Sequence, residues 1–472
     1  MRITIIGGGP GGYTAAFAAA QRGVEVTLVE NSNLGGTCLN CGCIPTKTLR
    51  ATADALELSR RLAEYGVTGG SSALDLDAVR RRKDSVIKIL VGGLEKACAH
   101  HKVTLLRGMG RLQDAHTVVV RSAEGEVSVS SDAVILATGS RVLELPGLAF
   151  DHTVVCSSDD ALQLTRIPRR LVIVGGGVIG CEMACIYQAF GSEVTVVEGL
   201  DRLLPLPSVD ADVSALLQRE FRKRKIKMFL GRTLKDVRVE QGLAHGVVAP
   251  SPFVPATSAG VAEEAIEADM VLVTVGRAST TQDLGLATVG IDVDKRGWIL
   301  VDDCLRTSVP GVYAIGDVCG PSRVMLAHVA AVEGLRVVDA VCGVPRPMCY
   351  DYVPAAIFTV PEIGSVGLSE TQAKERGGRV ACGITQMREL GKAQAMGELP
   401  GFFKVIVDAD SGQLLGVHIV GAHASDLVAE AGLALSVGLN VHQLADTVHA
   451  HPTLAEGLYE AVRNAIAAMK TA

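Results

Sequence analysis

Arg2-Ile3-Thr4-Ile5-Ile6-Gly7-Gly8-Gly9-Pro10-Gly11-Gly12 decides the reading of this chain. A short apolar run, Arg2 to Ile6, predicts a buried parallel strand. Gly7, Gly9 and Gly12 then fall at the three positions of a dinucleotide-binding turn. The first makes the tight turn, the second lets backbone approach a pyrophosphate, and the third lets the helix pack against the strand. An alanine-rich helix is expected from about Tyr13 to Gln21, and a second strand from Val24 to Val29, ended by Glu30. An acid at that point suits the ribose hydroxyls of an adenine dinucleotide. A glycine triplet alone is weak evidence. One that follows a strand, opens a helix and has its acid is strong.

The pattern recurs. Leu171-Val172-Ile173-Val174 reads as a strand, Gly175, Gly177 and Gly180 take the glycine positions, and the strand Glu193 to Val197 is ended by Glu198. Two complete fingerprints imply two dinucleotides. Glu198 suits a free 2′-hydroxyl and repels a 2′-phosphate, which an arginine would be needed to hold. Arg202 is close in sequence, but the acid points to NAD over NADP.

Between the two copies stands Gly35-Gly36-Thr37-Cys38-Leu39-Asn40-Cys41-Gly42-Cys43-Ile44-Pro45-Thr46-Lys47-Thr48-Leu49-Arg50. A disulfide here could exchange electrons with a flavin. In a regular helix, positions 38 and 43 would lie roughly 8–9 Å apart between Cα atoms. The reach of a disulfide is about 7 Å. A helical reading therefore favours Cys38 with Cys41. Gly42 and Pro45 break that regularity, so residue physics leaves the pair open. The alternatives are a metal cluster, which would want a fourth ligand at matching spacing, or three buried thiols.

With 472 residues the chain should hold two to four domains. Its 48% hydrophobic and 20% charged residues are those of a globular protein. A net charge of −6 without a long basic run argues against nucleic acid as a partner. Aromatic content of 4% leaves little for base-stacking platforms. Twelve cysteines are too sparse for a secreted disulfide scaffold, and the nine outside the 38–43 segment follow no metal or disulfide spacing. They read as thiols of a reducing cytoplasm. The chain opens directly on a strand, so no signal peptide is expected, and no apolar run reaches membrane-spanning length. Residues 241–266, with Pro250, Pro252, Pro255 and several Ala and Ser, predict a surface loop without chemistry.

The cysteine segment closely resembles the redox-active segment of the dihydrolipoamide dehydrogenases, within the pyridine nucleotide–disulfide oxidoreductases. The resemblance continues through most of the chain in order. Ser131 to Ser140, with Gly139 in its turn, resembles the strand where flavoprotein reductases pass to their second dinucleotide domain. Ala268 to Val275, followed by Gly276-Arg277, resembles the exit from that domain. Val312-Tyr313-Ala314-Ile315-Gly316-Asp317 resembles the segment whose aspartate meets the ribityl chain of FAD. Leu326-Ala327-His328-Val329-Ala330 resembles the helix start aimed at the flavin ring. His449-Ala450-His451-Pro452-Thr453-Leu454-Ala455-Glu456 resembles the acid/base segment.

The resemblance implies an α/β fold with two Rossmann-like dinucleotide-binding domains, for FAD and NAD, and a C-terminal α+β dimerisation domain. The expected division is 1–145 and 271–345 for the FAD and central parts, 146–270 for NAD and 346–472 for the interface. It implies a redox disulfide between Cys38 and Cys43, with Cys41 a departure where an aliphatic residue is usual. It implies His451 as base with Glu456 orienting it, His449 and His328 as structural, and Lys47 paired with Glu182 beside the flavin. FAD would be held by Gly7, Gly9, Gly12, Glu30, Thr37, Gly139, Asp317 and Ala327. NAD would be held by Gly175, Gly177, Gly180, Glu198 and Gly276. No metal is expected. The implied reaction is oxidation of dihydrolipoamide by NAD⁺ in a cytoplasmic homodimer. The partner would be a lipoyl-bearing protein of a 2-oxoacid dehydrogenase, glycine cleavage or another lipoate-dependent system. The alternative is an NAD(P)H-dependent reductase of another small disulfide.

Overall fold

The computed structural model describes residues 1–69, 72–255 and 262–471. The chain forms two compact units, each built from segments distant in sequence. The first comprises Met1–Leu143, Ser158–Thr165 and Gly276–Tyr350. The second comprises Glu144–Ser157, Arg166–Val275 and Asp351–Ala472.

In the first unit the strand Arg2–Ile6 lies at the centre of a five-stranded sheet. Glu25–Glu30 and then Thr104–Arg107 lie to one side, Ala133–Leu136 and then Val312–Ala314 to the other. Every pairing is parallel. Parallel strands need both faces covered, and the sequence supplies the cover. Ile3 and Ile5 face a core with Ala15, Ala16, Ala19 and Val337 from the helices Pro10–Gln21 and Ala327–Val341. Ile6 joins Leu112, Val118 and Val120 on the opposite side, where an antiparallel sheet of Met109–Leu112, Thr117–Ser122 and Gly125–Ser130 lies. Helix Pro10–Gln21 starts with Pro10 in its first turn, where a missing N–H costs nothing.

The second unit repeats the device. Its parallel sheet runs Lys227–Leu230, Glu193–Glu198, Arg170–Val174, Met270–Val273, Val155–Cys156. A second, wholly antiparallel sheet is built from Ala355–Ile357, Ile363–Gly367, Leu414–Val420, Phe402–Asp408 and Val380–Gln386, in that order. Helices Ala424–Ser436 and Glu456–Met469 close its core around Phe403, Val405, Val417, Ala461 and Ala465. The parallel-sheet and α+β classes expected from the sequence are both present.

One expectation is corrected. Residues 241–266 are not a loop throughout: Leu243–Pro250 and Glu264–Ala268 are strands, paired with Arg232–Glu240 in an antiparallel sheet. Val248 is wholly buried there. Pro250, the last residue of its strand, sits opposite Arg232 at the strand end, a position where proline is tolerated. The part of that expectation at residues 256–261 lies outside the described residues.

Candidate active site

Both glycine-rich turns exclude side chains at their first and third glycines. Gly7 has φ +109°, and a Cβ there would fall 2.2 Å from the Ala137 carbonyl oxygen. A Cβ on Gly12 would stand 1.8 Å from Gly7 O. In the second copy Gly175 has φ +105°, and a Cβ on Gly180 would stand 2.0 Å from Gly175 O. Gly9 and Gly177 precede helices Pro10–Gln21 and Val178–Ala189, without a side chain capping either N-terminus. A Cβ on Gly177 would meet nothing within 4 Å. Uncapped amides beside open space fit a pyrophosphate.

The acids hold the turns. Glu30 Oε2 accepts Gly8 N–H at 2.7 Å and Oε1 accepts Ser32 N–H at 2.8 Å. Glu198 Oε2 accepts Gly176 N–H at 2.5 Å and Oε1 accepts Leu200 N–H at 2.8 Å. Each carboxylate is thereby fixed at the end of its strand with lone pairs left for a ribose hydroxyl. The donor set of both turns fits an adenine dinucleotide.

Asp317, Gly139, Gly276 and Ala327 all belong to the first unit. Asp317 Oδ2 accepts the Ser140 hydroxyl at 2.6 Å, and Arg277 Nε donates to that hydroxyl at 2.5 Å. Gly139 (φ +74°) and Gly276 (φ +129°) each leave space where a Cβ would stand. Ala327 opens the helix Ala327–Val341, again without a side-chain cap. Ser140 and Arg277 were not singled out from sequence, although Ser140 directly follows the glycine turn. Glu333 was missed as well: almost wholly buried, it accepts Gly316 N–H at 2.6 Å and the Tyr350 hydroxyl at 2.6 Å. Burial raises its carboxyl above the usual range.

The cysteine segment is two helices, Gly36–Cys41 and Cys43–Arg60, broken at Gly42 with φ −143° and ψ −111°. A Cβ on Gly42 would lie 2.8 Å from Thr37 O, so the break is close-packed. All twelve cysteines are in the thiol form, none joined in a disulfide. The break brings the Cys38 and Cys43 side chains into hydrogen-bond contact. That contact, then burial and the Cys43 charge, push the Cys38 thiol well up, while Lys47 draws it down. Cys41 is turned elsewhere: its thiol bonds to Asp159 and Thr37. Burial first, then Asp159, push it up to about 11, against Arg277 and Thr37. Nothing in the sequence pointed to Asp159.

In the second unit His451 Nδ1 meets Glu456 Oε1 at 2.8 Å, and Glu456 Oε2 accepts Thr453 N–H at 2.9 Å. The Thr453 amide, then His451, hold the Glu456 carboxyl below its ordinary range. An ionised acceptor fixes the proton on Nδ1 and leaves Nε2 as the basic nitrogen. The ring is 76% exposed. His449 is spent differently: Nε2 faces Glu430 Oε1 at 2.9 Å and Nδ1 faces Thr447 O at 3.0 Å. Glu182, buried, accepts Phe358 N–H at 2.9 Å. Lys47 belongs to the first unit and Glu182 to the second, as do Cys38 and Cys43 against His451. Among the described residues no group of three or more His, Cys, Asp and Glu is placed to hold a metal, and no helix is long and apolar enough to cross a membrane.

Similarity to known proteins runs over nearly the whole chain. The family described as pyridine nucleotide-disulphide oxidoreductase matches residues 1–334, and its dimerisation domain matches residues 353–462. The dihydrolipoyl dehydrogenase of Haloferax volcanii is 40% identical, over 98% of this chain and 96% of its own length. That of Geobacillus stearothermophilus is 38% identical, over 98% and 95%. The crystal structure of LpdA from Mycobacterium tuberculosis superposes with a TM-score of 0.89 at 27% identity, over 98% of this chain and 99% of that one. Two glycine turns with their acids, a thiol pair on a broken helix and a C-terminal domain matched as a unit place the chain in one group: it belongs to the pyridine nucleotide–disulphide oxidoreductases.

Proposed function

We propose that the chain is an NAD-dependent dihydrolipoyl dehydrogenase, oxidising the dihydrolipoamide of a lipoyl-bearing protein through FAD and a Cys38–Cys43 disulfide. The observation that carries this reading is the thiol pair itself: Cys38 faces Cys43 across the Gly42 break, with Lys47 drawing the Cys38 thiol down. The names of relatives near 40% identity over almost the full chain support it.

The first turn, Gly7, Gly9 and Gly12 with Glu30, takes FAD together with Thr37, Gly139, Asp317 and Ala327. The second, Gly175, Gly177 and Gly180 with Glu198, takes NAD together with Gly276. Residues 1–145 and 271–345 form the FAD and central parts, 146–270 the NAD part and 346–472 the interface of a cytoplasmic homodimer. When bound, FAD supplies the two-electron acceptor for the protein dithiol and NAD⁺ the final hydride acceptor.

The chain's own residues handle sulfur and protons. His451 Nε2 takes a proton from one substrate thiol, because attack requires a thiolate. That thiolate bonds to Cys38 Sγ, the Cys38–Cys43 bond breaks, and Cys43 leaves as thiolate. The second substrate thiol then displaces Cys38, closing the substrate disulfide, and its proton passes to His451 once the first has gone to Cys38. The proton on His451 is available to Cys38 as it departs. Glu456 holds the imidazolium through Nδ1 meanwhile. Lys47, whose charge draws the Cys38 thiol down, keeps a cation beside the developing thiolate.

Steady-state oxidation of dihydrolipoamide by the purified yellow protein, with NAD⁺ and NADP⁺ compared, tests the reading. Turnover with NAD⁺ is expected. Turnover confined to another disulfide, reduced at the cost of NAD(P)H, would sink it in favour of the related reductases.

A further inference from the structure

We infer that Phe253 forms the stacking face for the adenine of the dinucleotide bound at the second glycine turn. The inference rests on the reading of that turn as the NAD site. It concerns the stretch after Pro250, to which sequence reasoning assigned no chemistry.

Phe253 is 70% exposed, in a unit whose other phenylalanines mostly lie inside. Exposed apolar side chains are common, and exposure alone says nothing. Its position does. A Cβ on Gly199 would stand 3.1 Å from Phe253 Cδ2 and 3.6 Å from Cε2, so the ring lies over the backbone of the residue directly after Glu198. Glu198 is pinned at the carboxyl end of its strand by the amides of Gly176 and Leu200. In open parallel sheets, ligands bind outside the carboxyl ends of the strands. An adenosine whose ribose meets Glu198 has its base a short step beyond, where this ring stands.

The ring is held there by a ladder of backbone bonds. Gly231 N–H donates to Leu200 O at 2.7 Å, and Ser251 N–H donates to Gly231 O at 2.9 Å. Phe253 N–H donates to the Ser251 hydroxyl at 3.1 Å. Ser251 is itself buried. The turn carrying Phe253 is thus tied to the carboxyl ends of two neighbouring strands of the parallel sheet. Glycine at 199 lets the ring come close, since any side chain there would displace it. The first turn has a counterpart of lesser reach: Met109, half exposed, lies against Asn31, the residue after Glu30. An aromatic face instead of a thioether gives the second site a flat partner for a purine.

The test is direct titration of the FAD-loaded enzyme with ADP-ribose, which lacks the nicotinamide and needs no turnover. Phe253→Ala is expected to weaken ADP-ribose binding about tenfold, the scale of one base–aromatic stack. Phe253→Trp is expected to keep the parent affinity. Reduction of nicotinamide mononucleotide, which has no adenine, should be the same in all three. Equal or tighter binding of ADP-ribose by Phe253→Ala, with an unchanged melting temperature, overturns the inference while leaving the NAD site standing. So does a parent enzyme that turns over with NAD⁺ yet binds ADP-ribose no better than Phe253→Ala does. A parent that neither binds ADP-ribose nor turns over with NAD⁺ overturns both the inference and the NAD reading beneath it.

Discussion

Cys41 lies between Cys38 and Cys43 in sequence, yet its thiol is turned to Asp159 and Thr37. A thiol kept protonated neither attacks a disulfide nor leaves one readily. Cys38→Ser and Cys43→Ser should each lower dihydrolipoamide turnover on the order of a thousandfold or more while FAD stays bound. Cys41→Val should turn over at about the parent rate. A dead Cys41→Val beside an active Cys43→Ser would reverse the assignment. Asp159 can be tested separately. It raises the Cys41 thiol together with burial, so Asp159→Asn should lower that thiol from about 11. The sign is then faster alkylation of Cys41 at mildly alkaline pH, read by mass spectrometry in a protein lacking Cys38 and Cys43. An unchanged rate would show that burial alone protects it.

At the scale of elements, two contacts govern how helices and sheets meet. Gly12 and Gly180 let a helix start approach the strand before it, and a Cβ at either would collide with a carbonyl oxygen. Gly12→Ala should cost the first turn its FAD. Gly180→Ala should keep FAD, visible in the flavin absorbance, and raise KM for NAD⁺. Loss of flavin from Gly180→Ala would exchange the two sites. The second contact is Lys404, buried on the strand Phe402–Asp408. Its ammonium meets Asp210 at 2.9 Å, Asp212 at 2.6 Å and Glu370 at 2.6 Å. Burial works to raise the Asp210 carboxyl, but the Glu370 amide and Lys404 outweigh it and hold the carboxyl low. Lys404→Met strands that buried carboxylate and should cost about 3–5 kcal/mol of stability. A carboxyl lowered by folding contributes stability above its unfolded pKa of about 4 and loses it as pH falls through the folded value. The difference in melting temperature between parent and Lys404→Met should therefore shrink under acid. A difference that grows there would assign the stabilisation to another group.

At the scale of the whole molecule, the thiol pair belongs to the first compact unit and His451 to the second. The match of residues 353–462 to a dimerisation domain supports a dimer, and we propose that His451 of one chain serves the disulfide of the other. Hybrids of Cys43→Ser and His451→Gln subunits then hold one doubly altered and one intact site. Activity should return to roughly half per dimer. Heterodimers that form and stay inactive would show that base and disulfide come from the same chain. Glu198 makes a second prediction at this scale: kcat/KM for NAD⁺ should exceed that for NADP⁺ by about an order of magnitude or more. Equal efficiencies would mean that its carboxylate does not face the ribose.

The sequence by itself determined the two parallel sheets, because glycine spacing, an apolar strand before it and an acid after it are local constraints that few other folds satisfy together. It also marked His451 with Glu456, which are close in sequence and meet at 2.8 Å. It left open which of three sulfurs pair, since the answer depends on how Gly42 bends the chain, and only the folded backbone brings Cys38 to Cys43 while turning Cys41 to Asp159. At residues 241–266 proline and small residues obscured strands whose stability comes from pairing with Arg232–Glu240. Ser140 behind Asp317, and Phe253 over Gly199, could be found only once distant segments had met. Local rules specify elements; contacts between residues far apart in the chain exist only after those elements have packed.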